Sequence, residues 1–131
     1  MTHKNLIVWQ KSIDLVEKIY NYTDGYPKGE LYGLTSQMRR ASVSIPSNIA
    51  EGHGRYSNKE LIRFLFISLG SASELETQLI ISKEIRFLNE EVYNELNQLV
   101  VEIIKMLSSL IKSKNNGKLI NPDIEPISDN S

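Results

Sequence analysis

Between Leu34 and Leu79 apolar and small residues recur at steps of three and four, and this spacing limits the possible folds more than any other feature of the chain. One run is Leu34, Met38, Ala41, Ile45, Asn48 and Gly52. A second is Leu61, Leu65, Ser68, Ala72, Leu75 and Leu79. Positions three and four apart share one side of an α-helix, whereas a half-buried strand needs alternation by two. Taken alone, Phe64-Leu65-Phe66-Ile67 could be a strand, but that reading leaves the capping pattern Ser57-x-x-Glu60 without a purpose. The spacing therefore predicts two long helices separated by Gly52 and Gly54. Pro46 lies inside the first and removes one backbone donor, so a kink near Ser42 is expected.

The flanking segments repeat the pattern. Leu6, Trp9, Ile13, Val16 and Tyr20 predict a first helix with Asn5 as its N-cap, ending where Gly25, Pro27 and Gly29 break the chain. Val92, Leu96, Leu99, Ile103, Met106 and Leu110 predict a fourth. It opens at Asn89 with Glu90 and Glu91 at the positive end of the helix dipole, and closes with Lys112 and Lys114 at the negative end. The expected helices are 5–22, 34–53, 58–84 and 89–113. Their short connections make successive helices antiparallel, giving an all-α, up-down-up-down four-helix bundle over residues 1–113. Residues 114–131, with Pro122 and Pro126 among acidic groups, hold too few apolar side chains to offset ordering entropy and are predicted to be a disordered tail.

A chain of 131 residues with 40% hydrophobic content is one domain's worth of core. Its 15 Lys and Arg against 16 Asp and Glu leave a formal charge of −1, so any electrostatic partner must be sought in a local cluster. There is no cysteine, hence no disulfide and no thiolate metal site. The N-terminal segment is broken by Gln10, Lys11, Asp14, Glu17 and Lys18 and reads as neither a leader nor a membrane span. A cytoplasmic protein without membrane association is expected.

The third and fourth helices carry more apolar residues than one packing stripe needs. From Leu61 to Leu69 only Arg63 and Ser68 interrupt them, and Val100, Ile104, Leu107 and Ile111 form a second stripe on the fourth helix. Leaving such side chains wet forgoes about 1.5–3 kcal/mol each. Self-association is therefore expected, with Ile62, Phe66, Leu69, Ile104 and Leu107 as candidate interface residues.

Several ordered motifs carry a resemblance: Tyr32-Gly33-Leu34, Arg39-Arg40-Ala41, Asn48-Ile49-Ala50-Glu51-Gly52, Gly54-Arg55, Phe64-Leu65, Gly70-Ser71, Glu74-Leu75 and Gln78-Leu79. Over residues 5–112 the chain resembles the bacterial four-helix bundle proteins encoded in intervening sequences of 23S ribosomal RNA genes. The accessory variability protein of diversity-generating retroelements is a related member. The resemblance implies a homopentameric ring of antiparallel bundles and, by analogy with the retroelement member, association with a reverse transcriptase and nucleic acid.

Residues 37–63 hold Arg39, Arg40, Arg55, Lys59 and Arg63 against Glu51 and Glu60, a local balance of +3. These five are the candidate contacts for RNA or DNA, whose phosphates reward clustered cations. The structural alternative is internal pairing: Glu51 with Arg55 four residues on, and Arg39 or Arg40 with Glu74 or Glu76 on the next helix. Asn48 on the seam, with Glu51, Glu74 and Gln78, reads as structural polar content that fixes register. No nucleophile and base stand at matching spacing. Neither Glu-x-x-His metal pairs nor a glycine-rich phosphate loop occurs. No catalytic residue, metal, cofactor or small-molecule substrate is expected. The function expected is that of a non-enzymatic, homo-oligomeric interaction module, with nucleic-acid-binding accessory protein as the alternative.

Overall fold

The computed structural model describes residues 2–115 and 119–122. A 3-10 turn at His3–Asn5 leads into α1 (Ile7–Thr23), and a second 3-10 turn at Lys28–Glu30 precedes α2 (Leu34–His53). Then follow α3 (Asn58–Glu84) and α4 (Glu90–Lys114), and no strand occurs among the described residues. Helices α2 and α3 form the most extensive contact. Helix α4 packs on α3, and α1 closes the square against α2 and α4, while the diagonal pairs do not meet. This is the all-α four-helix bundle expected, with four helices at nearly the expected ranges. The predicted tail, residues 114–131, lies largely outside the described residues.

Local chemistry sets the boundaries. Ser57 accepts from the Glu60 amide at 3.1 Å, and Asn89 accepts from the Val92 amide at 2.8 Å, so both caps fall where the sequence places them. Helix α1 departs from expectation. Asn5 ends the preceding 3-10 turn, with its Oδ1 accepting from Thr2 Oγ1 at 3.2 Å, and the N-cap is Leu6, which offers no side-chain oxygen. Helix α3 ends in a Schellman motif: the Arg86 amide donates to the Lys83 carbonyl and the Phe87 amide to that of Ser82, with Arg86 at φ 67°. Pro46 sits buried inside α2 without ending it.

The core lies one residue away from the predicted seam of α1. Val8, Ser12, Leu15, Ile19 and Thr23 are buried, whereas Trp9, Ile13 and Val16 are half-buried and Tyr20 is exposed. The buried hydroxyls bond their own helix, Ser12 to Trp9 O at 2.7 Å and Thr23 to Ile19 O at 2.6 Å, so burying them leaves no orphan donor. In α4 the core draws on both stripes. Leu96, Val100, Ile103, Leu107 and Ile111 are core, and Val92, Leu99, Met106 and Leu110 form a half-buried flank.

Between α2 and α3 the contact is close and built from small residues. Ser68 donates to Ile45 O at 2.9 Å, the Ser44 and Ser71 hydroxyls share a hydrogen bond of 2.8 Å, and Gly52 abuts Leu61 and Phe64. Asn48 is not on this seam; Ile49 takes that place. Its Nδ2 donates to Ser44 O at 2.8 Å and to Ser44 Oγ at 2.9 Å, holding the hydroxyl that reaches Ser71.

Candidate interaction surfaces

The apolar surplus of α3 is exposed at residues other than those predicted. Ile62 and Leu107 are closed inside the subunit's own core, at 4% and 0% exposure, and so are corrected from interface to core. Phe66, Leu69 and Ile104 are half-buried and pack against that core. The bundle absorbs them because α3 meets both α2 and α4, which covers a wider arc than one stripe. What stays uncovered is a line of Ile67, Gly70, Glu74, Thr77 and Ile81, with Ile80 and Ile85 beside it. Ile67, Ile80, Ile81 and Ile85 are 40–49% exposed. At Gly70 a Cβ would meet nothing within 4 Å, so the helix backbone there is bare. By length and composition α3 is apolar enough to cross a membrane; a third of its most apolar stretch is fully buried in the bundle, and residues such as Phe64, Phe66 and Leu69 are half-buried.

The five candidate cations do not form one patch. Arg39 and Arg40 sit near the start of α2, about 22 Å along the helix from Arg55. Arg39 is bound to α1: its Nε donates to Thr23 Oγ1 at 3.0 Å, Nη2 lies 3.8 Å from Asp24 Oδ1, and the guanidinium stacks 4.6 Å from the Tyr20 ring. The predicted partners on the third helix, Glu74 and Glu76, are not used, because the residue faces α1. Arg40 is exposed beside Tyr20, Leu31 and Tyr32.

Arg55, Lys59 and Arg63 gather at the opposite end. Arg55 pairs with Glu51 at 2.6 Å, as the four-residue spacing predicts, and Arg63 with Glu60 at 2.8 Å. Both guanidiniums also flank the Phe64 ring, at 5.0 and 4.9 Å. Asn58 Nδ2 donates to the Lys114 carbonyl and ties the start of α3 to the end of α4. Because α1 begins and α4 ends at this same end, Lys4, Lys112 and Lys114 join the group. Among the described residues the end presents six basic side chains against Glu51 and Glu60. Sequence spacing could not find these three lysines; only the antiparallel topology brings them in.

The remaining polar sites are structural in geometry. Glu74 accepts from Gln78 Nε2 at 3.2 Å, and Gln78 is buried with its Oε1 unpaired among the described residues. Glu95 on α4 accepts from Tyr22 Oη at 2.7 Å and Lys18 Nζ at 3.0 Å, which clasps α1 to α4. The Tyr22 bond, then the Lys18 bond, hold the Glu95 carboxyl below its ordinary pKa. His53 Nδ1 lies 3.0 Å from Ile49 O, and His3 packs edge-on against Trp9. Among the described residues no three His, Cys, Asp or Glu side chains come together in a way that could hold a metal ion.

Comparison with known proteins fits this architecture. The family model described as 23S rRNA-intervening sequence protein matches residues 4–109. Among solved structures, one of a protein with unknown function from the S23 ribosomal protein family of Bacteroides thetaiotaomicron is similar, at 28% identity and a TM-score of 0.74. The match covers 81% of this chain and 99% of that one. Comparison with curated proteins gives no significant match.

Proposed function

This chain belongs to the 23S rRNA-intervening sequence protein family, and we propose that it acts there as a non-enzymatic, self-associating scaffold module. The observation that carries the reading is α3. A third of the residues in its most apolar stretch are fully buried and others are half-buried, yet Ile67, Ile80 and Ile81 stay 40–43% exposed. On its outer line exposed Ile67 and Ile81 share the face with the bare backbone of Gly70 and with Glu74 and Thr77, and Ile80 lies beside them. A helical face that leaves isoleucines and bare backbone exposed is one that a neighbouring copy can cover. The homopentameric ring implied by the family resemblance is the expected stoichiometry. Sedimentation or mass photometry of the chain across the micromolar range tests this directly. A mass several times that of one subunit is expected, and a stable single subunit at every concentration overturns the proposal.

A second reading is favoured by a different observation, the cationic end of the bundle. Six basic groups against two carboxylates, repeated around a ring, make a surface suited to the phosphate backbone of RNA or DNA. In that reading Arg55, Lys59 and Arg63 keep the role expected from the sequence, Lys4, Lys112 and Lys114 join them, and Arg39 is structural.

A further inference from the structure

A second uncovered apolar surface lies between α1 and α4, away from the outer face of α3. Leu6, Ile7, Met106 and Leu110 line an open groove of about 590 Å³, with Ser109 and Lys105 also on its wall. Ile7 is 60% exposed, the highest value for any aliphatic side chain among the exposed hydrophobic residues. Lys105 is exposed at the groove, as are Lys4 and Lys112 nearby, and none of the three pairs with a described carboxylate.

The segment that follows α4 has the complementary chemistry. Residues 119–131 carry Leu119, Ile120, Ile124 and Ile127 together with Asp123, Glu125 and Asp129, and no basic residue. Its first part is tied to the end of α4: Asn115 Nδ2 donates to Ile120 O at 3.1 Å, and Ile120, Asn121 and Pro122 are half-buried. Reach is not limiting. Ser109 lies about 9 Å back along α4 from Asn115, and twelve extended residues span up to roughly 40 Å.

We propose that the groove between α1 and α4 is the docking site of this chain's own residues 120–131, with the isoleucines on the apolar floor and the carboxylates facing Lys4, Lys105 and Lys112. The groove supplies apolar surface and opposite charge in one place. Docking there also sets three carboxylates beside the cationic end of the bundle, so the segment competes with any polyanion for that end.

The chain has no cysteine, so a single thiol reports on the groove without interference. Ser109→Cys, at an exposed position on the groove wall, is placed in the full chain and in a chain ending at Pro122, and its reaction rate with neutral N-ethylmaleimide is measured in both. The full chain should react at least fivefold more slowly. The protection should not change with protein concentration, and it should be lost in a full-length variant with Asp123, Glu125 and Asp129 each changed to Asn. Equal rates in the full and shortened chains, whether both fast or both slow, overturn the proposal. Protection that grows with protein concentration also overturns it, because the occupant would then come from a neighbouring copy.

Discussion

At the scale of single residues, three positions make the packing argument quantitative. A Cβ at Gly52 would lie 3.0 Å from Phe64 Cβ and 3.3 Å from the Leu61 carbonyl, neither of which is the free end of a flexible chain. Gly52→Ala should therefore force α2 and α3 apart and cost about 1–3 kcal/mol in urea denaturation. Arg86 is the opposite case, since its φ of 67° occupies the C′ position of a Schellman motif that glycine fills without strain. Arg86→Gly is expected to raise stability by about 0.5–1 kcal/mol in the same assay. Tyr26 is buried, and its hydroxyl has no hydrogen-bond partner among the described residues; the nearby Ser82 hydroxyl donates to Met38 Sδ at 3.4 Å. Burial pushes the Tyr26 pKa up, and Ser82 pulls it slightly back. The native state thus keeps a proton that the unfolded chain releases above pH about 10, and stability is present below that pH and falls as pH rises through the folded-state value. Tyr26→Phe should leave neutral stability nearly unchanged and flatten the loss of melting temperature between about pH 10 and 12. None of these three effects could be read from periodicity, which is blind to backbone sign and to what lies across a helix crossing.

At the scale of elements, the sequence was most legible where capping chemistry and spacing agreed. Helices α2 and α3 occupy the predicted ranges, and both Ser57 and Asn89 cap as expected. The stripes were less legible. In α1 the bulky Trp9 and Tyr20 drew the seam to the wrong side, since spacing alone cannot tell that Ser12 and Thr23 satisfy their hydroxyls on their own helix. In α4 two apolar stripes competed, and only the packing of α1 and α3 decides between them. The exposed face of α3 supports a paired prediction. Gly70→Ala fills open space in a helix interior and should stabilise an isolated subunit by about 0.5–1 kcal/mol. If a neighbouring copy rests on that backbone, the same change should weaken assembly. Ile81→Lys should lower the assembled fraction in mass photometry while leaving helical circular dichroism unchanged. Assembly indifferent to both variants would place the interface elsewhere.

At the scale of the whole molecule, the distribution of charge becomes visible only once the chain is folded. The segment 37–63 looked like one cationic stretch, but α2 carries its two ends to opposite poles, and lysines from both ends of the chain complete one of them. If this pole holds about four phosphates, affinity for a structured RNA should fall on the order of 100-fold between 50 and 200 mM salt. Lys59→Glu with Lys114→Glu should weaken binding at every salt concentration, whereas Arg40→Glu at the far pole should not; filter binding distinguishes these outcomes. The apolar character of α3 also bears on how the chain is made. At roughly 5–20 residues per second, α4 takes on the order of a few seconds to be translated after α3 is complete. During that interval the greasiest rod of the newborn polypeptide has only α2 to lean against, which makes it the stretch that ribosome-associated chaperones would be first to grasp.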